Sequence, residues 1–278
     1  MLAVASNIDA QEKPLPEPQA FLREVRTHLR PDESLQRGYV YVETRRESKL
    51  DKTGRATKET VKVIESYPGL PGEERWERVI SENGRPTPVE ELAKKDRERT
   101  RKAQEYVRRL ETDGKKVRRQ AAREREKALR EIDETIDDIF RVYDIRMLRR
   151  EVLEGHDTIV FDLTPRPTVK PRTRDGKIMK NFTARAWVSE SDYELVRVDV
   201  EAIDTVSFGF GLLARVHKGS RASFTRRKIN QEVWLPASAS YTASARVGLV
   251  KVLRIGGTSE FSNYRRFTVD TTTTYTAK

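Results

Sequence analysis

The sequence predicts an α+β protein in which a curved antiparallel sheet forms an open half β-barrel, with a short N-terminal helix and a long charged helical hairpin. Three observations predict this class. Residues 19–29 have a helical apolar spacing, residues 88–140 are densely charged with one proline at their start, and residues 141–278 alternate apolar and polar side chains. A chain of 278 residues is long enough to bury a sizeable core.

Residues 1–18 are predicted to precede the folded domain. Ala3-Val4-Ala5 has the small-x-small form of a signal-peptidase site, but the basic start and long apolar core of a complete signal are missing. We therefore expect an export-signal remnant or a disordered tail. A remnant would mean export to the periplasm or cell envelope. The prolines at 14, 16 and 18 are typical of a linker.

Residues 19–87 are predicted to supply the first helix and strands of the half-barrel. The helix has its apolar residues on one stripe, at Ala20, Phe21, Val25 and Leu29, and Pro31 ends it. Three strands should follow, over 39–44, 59–67 and 75–81. The first two are separated by the polar turn Asp51–Gly54, and the third ends at the turn signal Asn83-Gly84.

Residues 88–140 are predicted to form an antiparallel helical hairpin. One thin apolar stripe ends at Leu110, another begins at Val117, and Asp113-Gly114 between them suggests a turn. From Arg99 to Arg130 there are 13 basic and 5 acidic residues, so this stretch carries +8 of the chain's net +11. The basic character of the chain is therefore concentrated here.

The hairpin contains a candidate basic docking patch with three interpretations. Its members are Arg108, Arg109, Lys115, Lys116, Arg118, Arg119 and Arg123. In the first interpretation, the segment is a solvated helix pair stabilised by i,i+4 ion pairs such as Glu98–Lys102 and Glu126–Arg130. In the second, residues 96–132 dock on an anionic membrane surface or on an acidic envelope protein. Nucleic acid is the least favoured partner, because aromatic interleaving, zinc spacing and a recognition-helix signature are all missing.

Residues 141–278 are predicted to supply the remaining strands of the half-barrel. Alternation is clearest over 159–163, 196–202 and 241–249. Turn signals occur at Glu154-Gly155, Asp175-Gly176, Ser191-Asp192, Lys218-Gly219, Leu235-Pro236 and Gly256-Gly257. With the N-terminal strands, we expect roughly eight to eleven strands in one curved sheet.

The residue types present argue against most catalytic and cofactor chemistry. The chain has no cysteine and only three histidines, at 28, 156 and 217, which excludes thiolate sites and disfavours a histidine metal site. The sequence contains none of the nucleophile-elbow, zinc-protease and phosphate-loop signatures. No apolar run approaches the ~20 residues of a membrane-spanning helix. We expect a protein without enzymatic activity, cofactor or metal.

Four segments resemble the strands of periplasmic carriers that sort outer-membrane lipoproteins, the LolA/LolB-like superfamily. They are residues 155–165, residues 186–198 with Trp187 and Tyr193, residues 230–236 ending in Trp-Leu-Pro, and residues 261–267. The resemblance extends over roughly 19–81 and 139–275. It implies an open half-barrel covered by helices that holds acyl chains or a lipoprotein in the cell envelope. The charged segment is a departure from the simple carriers.

The expected function is therefore non-catalytic binding of a lipid or an acylated protein on a concave apolar face. The residues expected to line it are Phe161, Trp187, Val196, Val198, Trp234, Phe261 and Phe267, although aromatic side chains on a sheet are also common in cores. The alternative is a protein-docking module without a lipid, because members of the resembled family include regulators that sense envelope stress. In that case the basic hairpin is the docking arm.

Overall fold

The structure is a computed structural model that describes residues 13–30, 38–70, 74–208, 214–247 and 251–267. Most of the predicted export-signal remnant, residues 1–12, lies outside the described residues. The helices are α1 (Pro18–His28), α2 (Val89–Val142) and α3 (Arg174–Met179). The strands are β1 (Tyr39–Leu50), β2 (Ala56–Tyr67), β3 (Trp76–Glu82), β4 (Arg85–Pro86), β5 (Tyr143–Leu153), β6 (His156–Pro165), β7 (Phe182–Ser189), β8 (Leu195–Ala202), β9 (Val206–Phe208), β10 (Ala214–Val216), β11 (Arg221–Ile229), β12 (Val233–Val247) and β13 (Lys251–Arg266).

The strands form one curved, open antiparallel sheet, which confirms the predicted fold class. Eleven strands follow the order β4-β3-β2-β1-β13-β12-β11-β8-β7-β6-β5, and β9 and β10 attach beside β12. The two ends of this order, β4 and β5, are consecutive in the sequence. α2 is the segment that joins them, so the long helix connects the two edges of the open sheet.

α1 covers one end of the sheet and forms the main core with it. Glu17 caps the helix by accepting hydrogen bonds from the backbone N–H groups of residues 19 and 20. Phe21 and Val25 face the sheet, and the Phe21 ring stacks on Phe161 with 5.8 Å between ring centroids. Ile159 and Val188 complete this cluster. A second, smaller cluster contains Tyr39, Val233 and Leu235.

The predicted hairpin is wrong in its connection, because α2 is one element of 54 residues. Asp113 is the single residue with non-helical dihedrals (φ −131°, ψ 35°), which produces a kink. Reversing a helix into an antiparallel hairpin takes a loop of about two to five residues, so the single non-helical residue Asp113 is too short for it. Leu110, Gly114, Val117 and Ala121 are less exposed than the residues between them, so one less exposed stripe continues across the kink.

Three predicted turn signals lie inside other elements. Asp175-Gly176 belongs to the short helix α3. Leu235-Pro236 is within β12, next to a β-bulge at Ala237 of the same strand. Gly256-Gly257 is within β13, where the Tyr241 ring lies so close to Gly257 that an added Cβ would come within 2.5 Å of it. The glycine therefore gives room to a ring on the neighbouring strand.

Candidate functional site

The two faces of the central strands differ in chemistry. Residues directly opposite each other on antiparallel strands share a face. One row across five strands is apolar throughout, and we call its side the apolar face; the row is Phe161, Ala186, Val198, Phe224 and Ala239. The next row on the same face is Leu163, Ala184, Val200, Ala222 and Tyr241. Alternation along each strand keeps charged residues off this surface.

α1 covers only part of the apolar face. Phe161 is fully buried beneath it, whereas the residues on β8, β11 and β12 remain accessible to solvent. We call this accessible part the apolar strip; its members are Val198, Val200, Ala222, Phe224, Ala239 and Tyr241. Apart from the Tyr241 hydroxyl, these side chains offer no hydrogen-bonding group. They can be removed from water only by burial under another apolar group.

A cavity of about 270 Å³ adjoins the apolar strip at the C-terminal end of α1. Its apolar lining is Leu29, Leu195, Phe224, Trp234 and Pro236, and its polar lining is His28, Glu194 and Arg226. Phe224 belongs to both the cavity and the strip, so the two are continuous. The result is an apolar surface that runs from beneath the end of α1 across three strands.

Hydrogen bonds fix the polar side of this cavity. Arg226 donates to Glu194 Oε2 at 2.9 Å and to the backbone oxygens of Leu195 (3.1 Å) and Trp234 (2.9 Å). Its guanidinium therefore ties β11 to both neighbouring strands. Such charge-assisted bonds are directional, so they hold the wall of the cavity in one arrangement.

Asp192, in the turn between β7 and β8, holds the indole of Trp234. The carboxylate accepts from Trp234 Nε1 at 3.0 Å and from Lys228 Nζ at 2.6 Å. Burial alone would raise the pKa of Asp192, but hydrogen bonds from Lys228, Ser189 and Trp234 outweigh it and lower the pKa to about 2. The indole is thus anchored by a carboxylate that stays charged at neutral pH.

The opposite side of the same strands is the polar face. Its matching row is Asp162, Arg185, Asp199, Ser223 and Ser240. A cavity of about 560 Å³ lies on this face. This cavity is larger than the apolar cavity, and its lining also includes Val200, Ala222 and Tyr241 of the apolar strip.

The charges in the polar cavity neutralise one another. Salt bridges join Arg185 to Asp162 (2.7 Å), Arg197 to Asp199 (2.8 Å) and Arg221 to Glu201 (3.1 Å). These three pairs leave no net charge among the six side chains. A surface already paired in this way has little electrostatic preference for an ionic ligand.

The structure distributes the predicted ligand-lining residues over separate surroundings. Phe161 and Val196 are fully buried, and Phe161 packs in the α1 core. Val198 lies on the apolar strip and Trp234 lines the adjoining cavity. These two positions are close to one continuous surface, and their role as ligand contacts remains a prediction.

The other three predicted residues lie elsewhere. Trp187 lines the polar cavity, with the Arg197 guanidinium 5.0 Å from its ring centroid. Phe261 packs edge-on against Tyr41 at 5.6 Å between centroids. Phe267 follows β13 and lies 5.5 Å from the Arg99 guanidinium of α2. Trp187 and Phe267 are not part of the apolar strip, whereas Phe261 lies two residues along β13 from Ser259, which is opposite Ala239 of the strip.

Phe224 and Asp192 were not anticipated from the sequence. Phe224 joins the strip to the cavity, and Asp192 positions Trp234. The alternation Ala222-x-Phe224 is visible in the sequence, but its pairing with Val198 depends on a strand register that no sequence pattern fixes. The sequence predicts a turn at Ser191-Asp192, which the structure confirms, but it gives no sign that the Asp192 carboxylate holds Trp234.

The seven predicted docking residues all have exposed side chains on α2. Within the described ranges, none of them forms a salt bridge. The two predicted i,i+4 pairs are confirmed, with Glu98–Lys102 at 3.9 Å and Glu126–Arg130 at 3.8 Å. Docking by the seven residues remains a prediction.

The described part of the chain contains neither a metal-binding cluster nor a helix suited to crossing a membrane. No group of three or more His, Asp or Glu side chains there is arranged to hold a metal ion. None of the helices in those ranges combines the length and the apolar character that crossing a membrane requires.

Comparison with known proteins gives matches among solved structures alone, since no family model and no curated protein matches the chain. A domain assigned to outer-membrane lipoprotein sorting in Vibrio parahaemolyticus is 9% identical, with coverage of 88% of this chain and 90% of that one and a TM-score of 0.33. A LolA superfamily protein from Nitrosomonas europaea is 11% identical, with 92% and 96% coverage and a TM-score of 0.28. The MucA/MucB complex of Pseudomonas aeruginosa contributes a chain at 8% identity, 89% and 98% coverage, and a TM-score of 0.24.

The superfamily that the strand segments resemble is thus among the structural matches. Identities of 8–11% and TM-scores below 0.5 carry no information about ligand, partner or location. The function has to be argued from the residues of this chain.

Proposed function

We propose that the protein is a non-catalytic carrier that binds an acyl chain, from a lipid or an acylated protein, along the apolar strip and in the adjoining cavity. The observation that carries the proposal is the continuity of the two through Phe224. An unbranched apolar chain fits such a surface because it needs no hydrogen-bond partner. The polar groups His28, Glu194 and Arg226 at the cavity would face the polar end of the ligand.

Affinity in this proposal comes from removing methylene groups from water. Each buried CH₂ contributes about 0.8 kcal/mol, which is roughly a fourfold gain in affinity per methylene. Binding should therefore increase with chain length until the strip and cavity are filled. A ligand held by its head group would not show this dependence.

The test is a titration of saturated fatty acids from about eight to about eighteen carbons, read by displacement of a fluorescent fatty acid. Two variants on adjacent residues of β12 give a matched pair. Ala239→Glu places a carboxylate on the apolar strip, and Ser240→Glu places the same group on the polar face. Burying the carboxylate against an acyl chain is unfavourable, so Ala239→Glu should lose more than about tenfold in affinity.

Ser240→Glu should bind as the parent does. The proposal fails if affinity is independent of chain length, or if the two variants lose affinity equally. A protein that binds no fatty acid at all would favour the competing function, a docking module that acts through α2 without a lipid.

The proposal includes a location in the cell envelope, as expected from Ala3-Val4-Ala5. Fractionation of the source cells with an antibody against the chain tests this point separately. Recovery with cytoplasmic markers would reject the location and leave the acyl-binding proposal standing.

A further inference from the structure

α2 is held to the body of the protein near both of its ends. Near its start, Asp96 pairs with Arg78 at 2.5 Å, and the Arg99 guanidinium lies 4.3 Å from the centroid of the Tyr67 ring. These contacts fix the helix to β2 and β3. Cation–π contacts of this kind favour a defined position of the guanidinium over the ring.

The other end of α2 is fixed to α1. Arg30 of the α1 end donates two hydrogen bonds to Asp133, through Nε and Nη2, each at 2.5 Å. Arg26 pairs with Asp137, and Ile136 between these acids is buried. Because both ends are attached, the intervening residues 103–131 are presented as a fixed, kinked helix.

The middle of this helix carries a basic surface whose members form no salt bridge within the described residues, although the Arg109 guanidinium lies 5.8 Å from the centroid of the Tyr106 ring. Its members are the seven residues from Arg108 to Arg123 named above as the docking patch. From Gly114 to Arg123 there are five basic residues and no acidic one. Lys127 and Arg130, slightly further on, differ because each pairs with a glutamate on the same helix.

Helical spacing puts part of the basic surface on the side opposite the apolar stripe. Lys115, Arg119 and Arg123 are separated by four residues each, so they align along one side of the helix beyond the kink. The stripe of Ala103, Leu110, Val117 and Ala121 lies on the other side. Two of these four residues are alanines, so the stripe offers little apolar area for deep insertion into a bilayer.

We propose that the docking patch of α2 binds the surface of a bilayer rich in anionic phospholipid head groups. A row of cations without salt-bridge partners on a helix that is attached at both ends matches a diffuse anionic surface, which requires no defined pocket. Clustered basic residues beside a bilayer each contribute about fivefold to binding. Nucleic acid is disfavoured because the patch has no aromatic side chain between Val107 and Ile139 on which a base can stack.

Bilayer binding by α2 would extend the proposed carrier function. It depends on that function only for its biological purpose, which is to bring the carrier to a membrane. The C-terminal part of α2 packs on α1, and α1 borders the apolar cavity. A membrane-bound α2 would therefore bring the cavity near a source or acceptor of acyl chains. Bilayer binding itself does not require a filled cavity.

The test is co-sedimentation of the full chain with two kinds of vesicle, pure phosphatidylcholine and phosphatidylcholine with about one third phosphatidylglycerol. The parent should bind the anionic vesicles alone, and raising salt should release it. Substituting Lys115, Lys116, Arg118, Arg119 and Arg123 by Gln should reduce binding by more than about a hundredfold.

The matched control removes the same charge elsewhere. Lys49, Lys52, Arg55, Lys58 and Arg85 are exposed basic residues of the β1–β4 region, and their five Gln substitutions should leave vesicle binding near the parent value. Equal loss in both variants would overturn the proposal, since net charge alone would then explain binding. A parent that does not distinguish the two vesicles would overturn it as well.

Fatty-acid titration of the α2 variant separates this inference from the carrier function. Retained fatty-acid affinity with lost vesicle binding supports two independent surfaces. Loss of fatty-acid affinity in the α2 variant would contradict the assignment of its residues to bilayer contact alone.

Discussion

The two faces of the sheet present the same strands with opposite chemistry. On the polar face, each of the three arginines in the larger cavity has an acidic partner within 3.1 Å. On the apolar face beyond α1, the side chains of the apolar strip remain accessible to solvent in the described structure. Cavity volume therefore does not identify the ligand surface, because the smaller cavity of about 270 Å³ adjoins the uncovered apolar strip.

The largest expected effect is a difference in the free energy of unfolding between substitutions in the covered and in the uncovered part of the apolar face. Phe161→Ala removes a fully buried ring under α1 and should destabilise the protein by about 3–5 kcal/mol. Phe224→Ala, at a partly exposed position of the strip, should cost less than about half of that. Urea unfolding monitored by circular dichroism measures both, and equal losses would mean that the strip is already core.

An intermediate effect concerns the anchor of Trp234 and its dependence on pH. The folded pKa of Asp192 is about 2, below its ordinary value of 3.8, so the charged carboxylate stabilises the fold above about pH 4. That contribution is lost as the pH falls from about 4 to about 2. Asp192→Asn should cost on the order of 1–2 kcal/mol at pH 7 and nothing near pH 2.

Acid titrations of thermal stability for the parent and Asp192→Asn measure this difference. Asp204→Asn, at an exposed position, serves as the control and should follow the parent at every pH. A cost for Asp192→Asn that is the same at pH 2 and pH 7 would contradict a charge-dependent anchor.

The smallest expected effect lies on the polar face. Asp199→Ala removes the partner of Arg197 and an acceptor for the Ser223 hydroxyl, which should cost only about 0.5–1 kcal/mol because the pair is partly exposed. Fatty-acid affinity should stay unchanged. A loss of affinity beyond about threefold would place the polar cavity within the ligand site and break the distinction between the faces.

Local signals in the sequence predicted much of the fold. Asn83-Gly84 and Glu154-Gly155 are hairpin turns in which both residues have positive φ, and Asn and Gly adopt such angles readily. The start of α2 after Pro88 also follows from the sequence pattern, and its end at Val142 is two residues beyond the predicted boundary at 140. These features depend on a few neighbouring residues.

Features that depend on distant contacts were missed. The Gly256-Gly257 dipeptide looks like a turn until Tyr241 from the neighbouring strand is placed over it. Asp113-Gly114 looks like a hairpin turn until β4 and β5 are known to be opposite sheet edges that one helix has to join. Phe161 and Val198 both lie in strands with alternating apolar and polar residues. Only the position of α1 makes Phe161 a core residue and leaves Val198 at the surface.

The most direct test of the central claim is photocrosslinking with a palmitoyl chain that carries a diazirine, followed by mass spectrometry that assigns each adduct to a residue. The account predicts adducts on Val198, Phe224, Trp234 or Ala239, which an excess of unlabelled fatty acid removes. Adducts on Arg185, Ser223 or Ser240 would place the chain on the polar face and contradict it, as would labelling that unlabelled fatty acid does not displace.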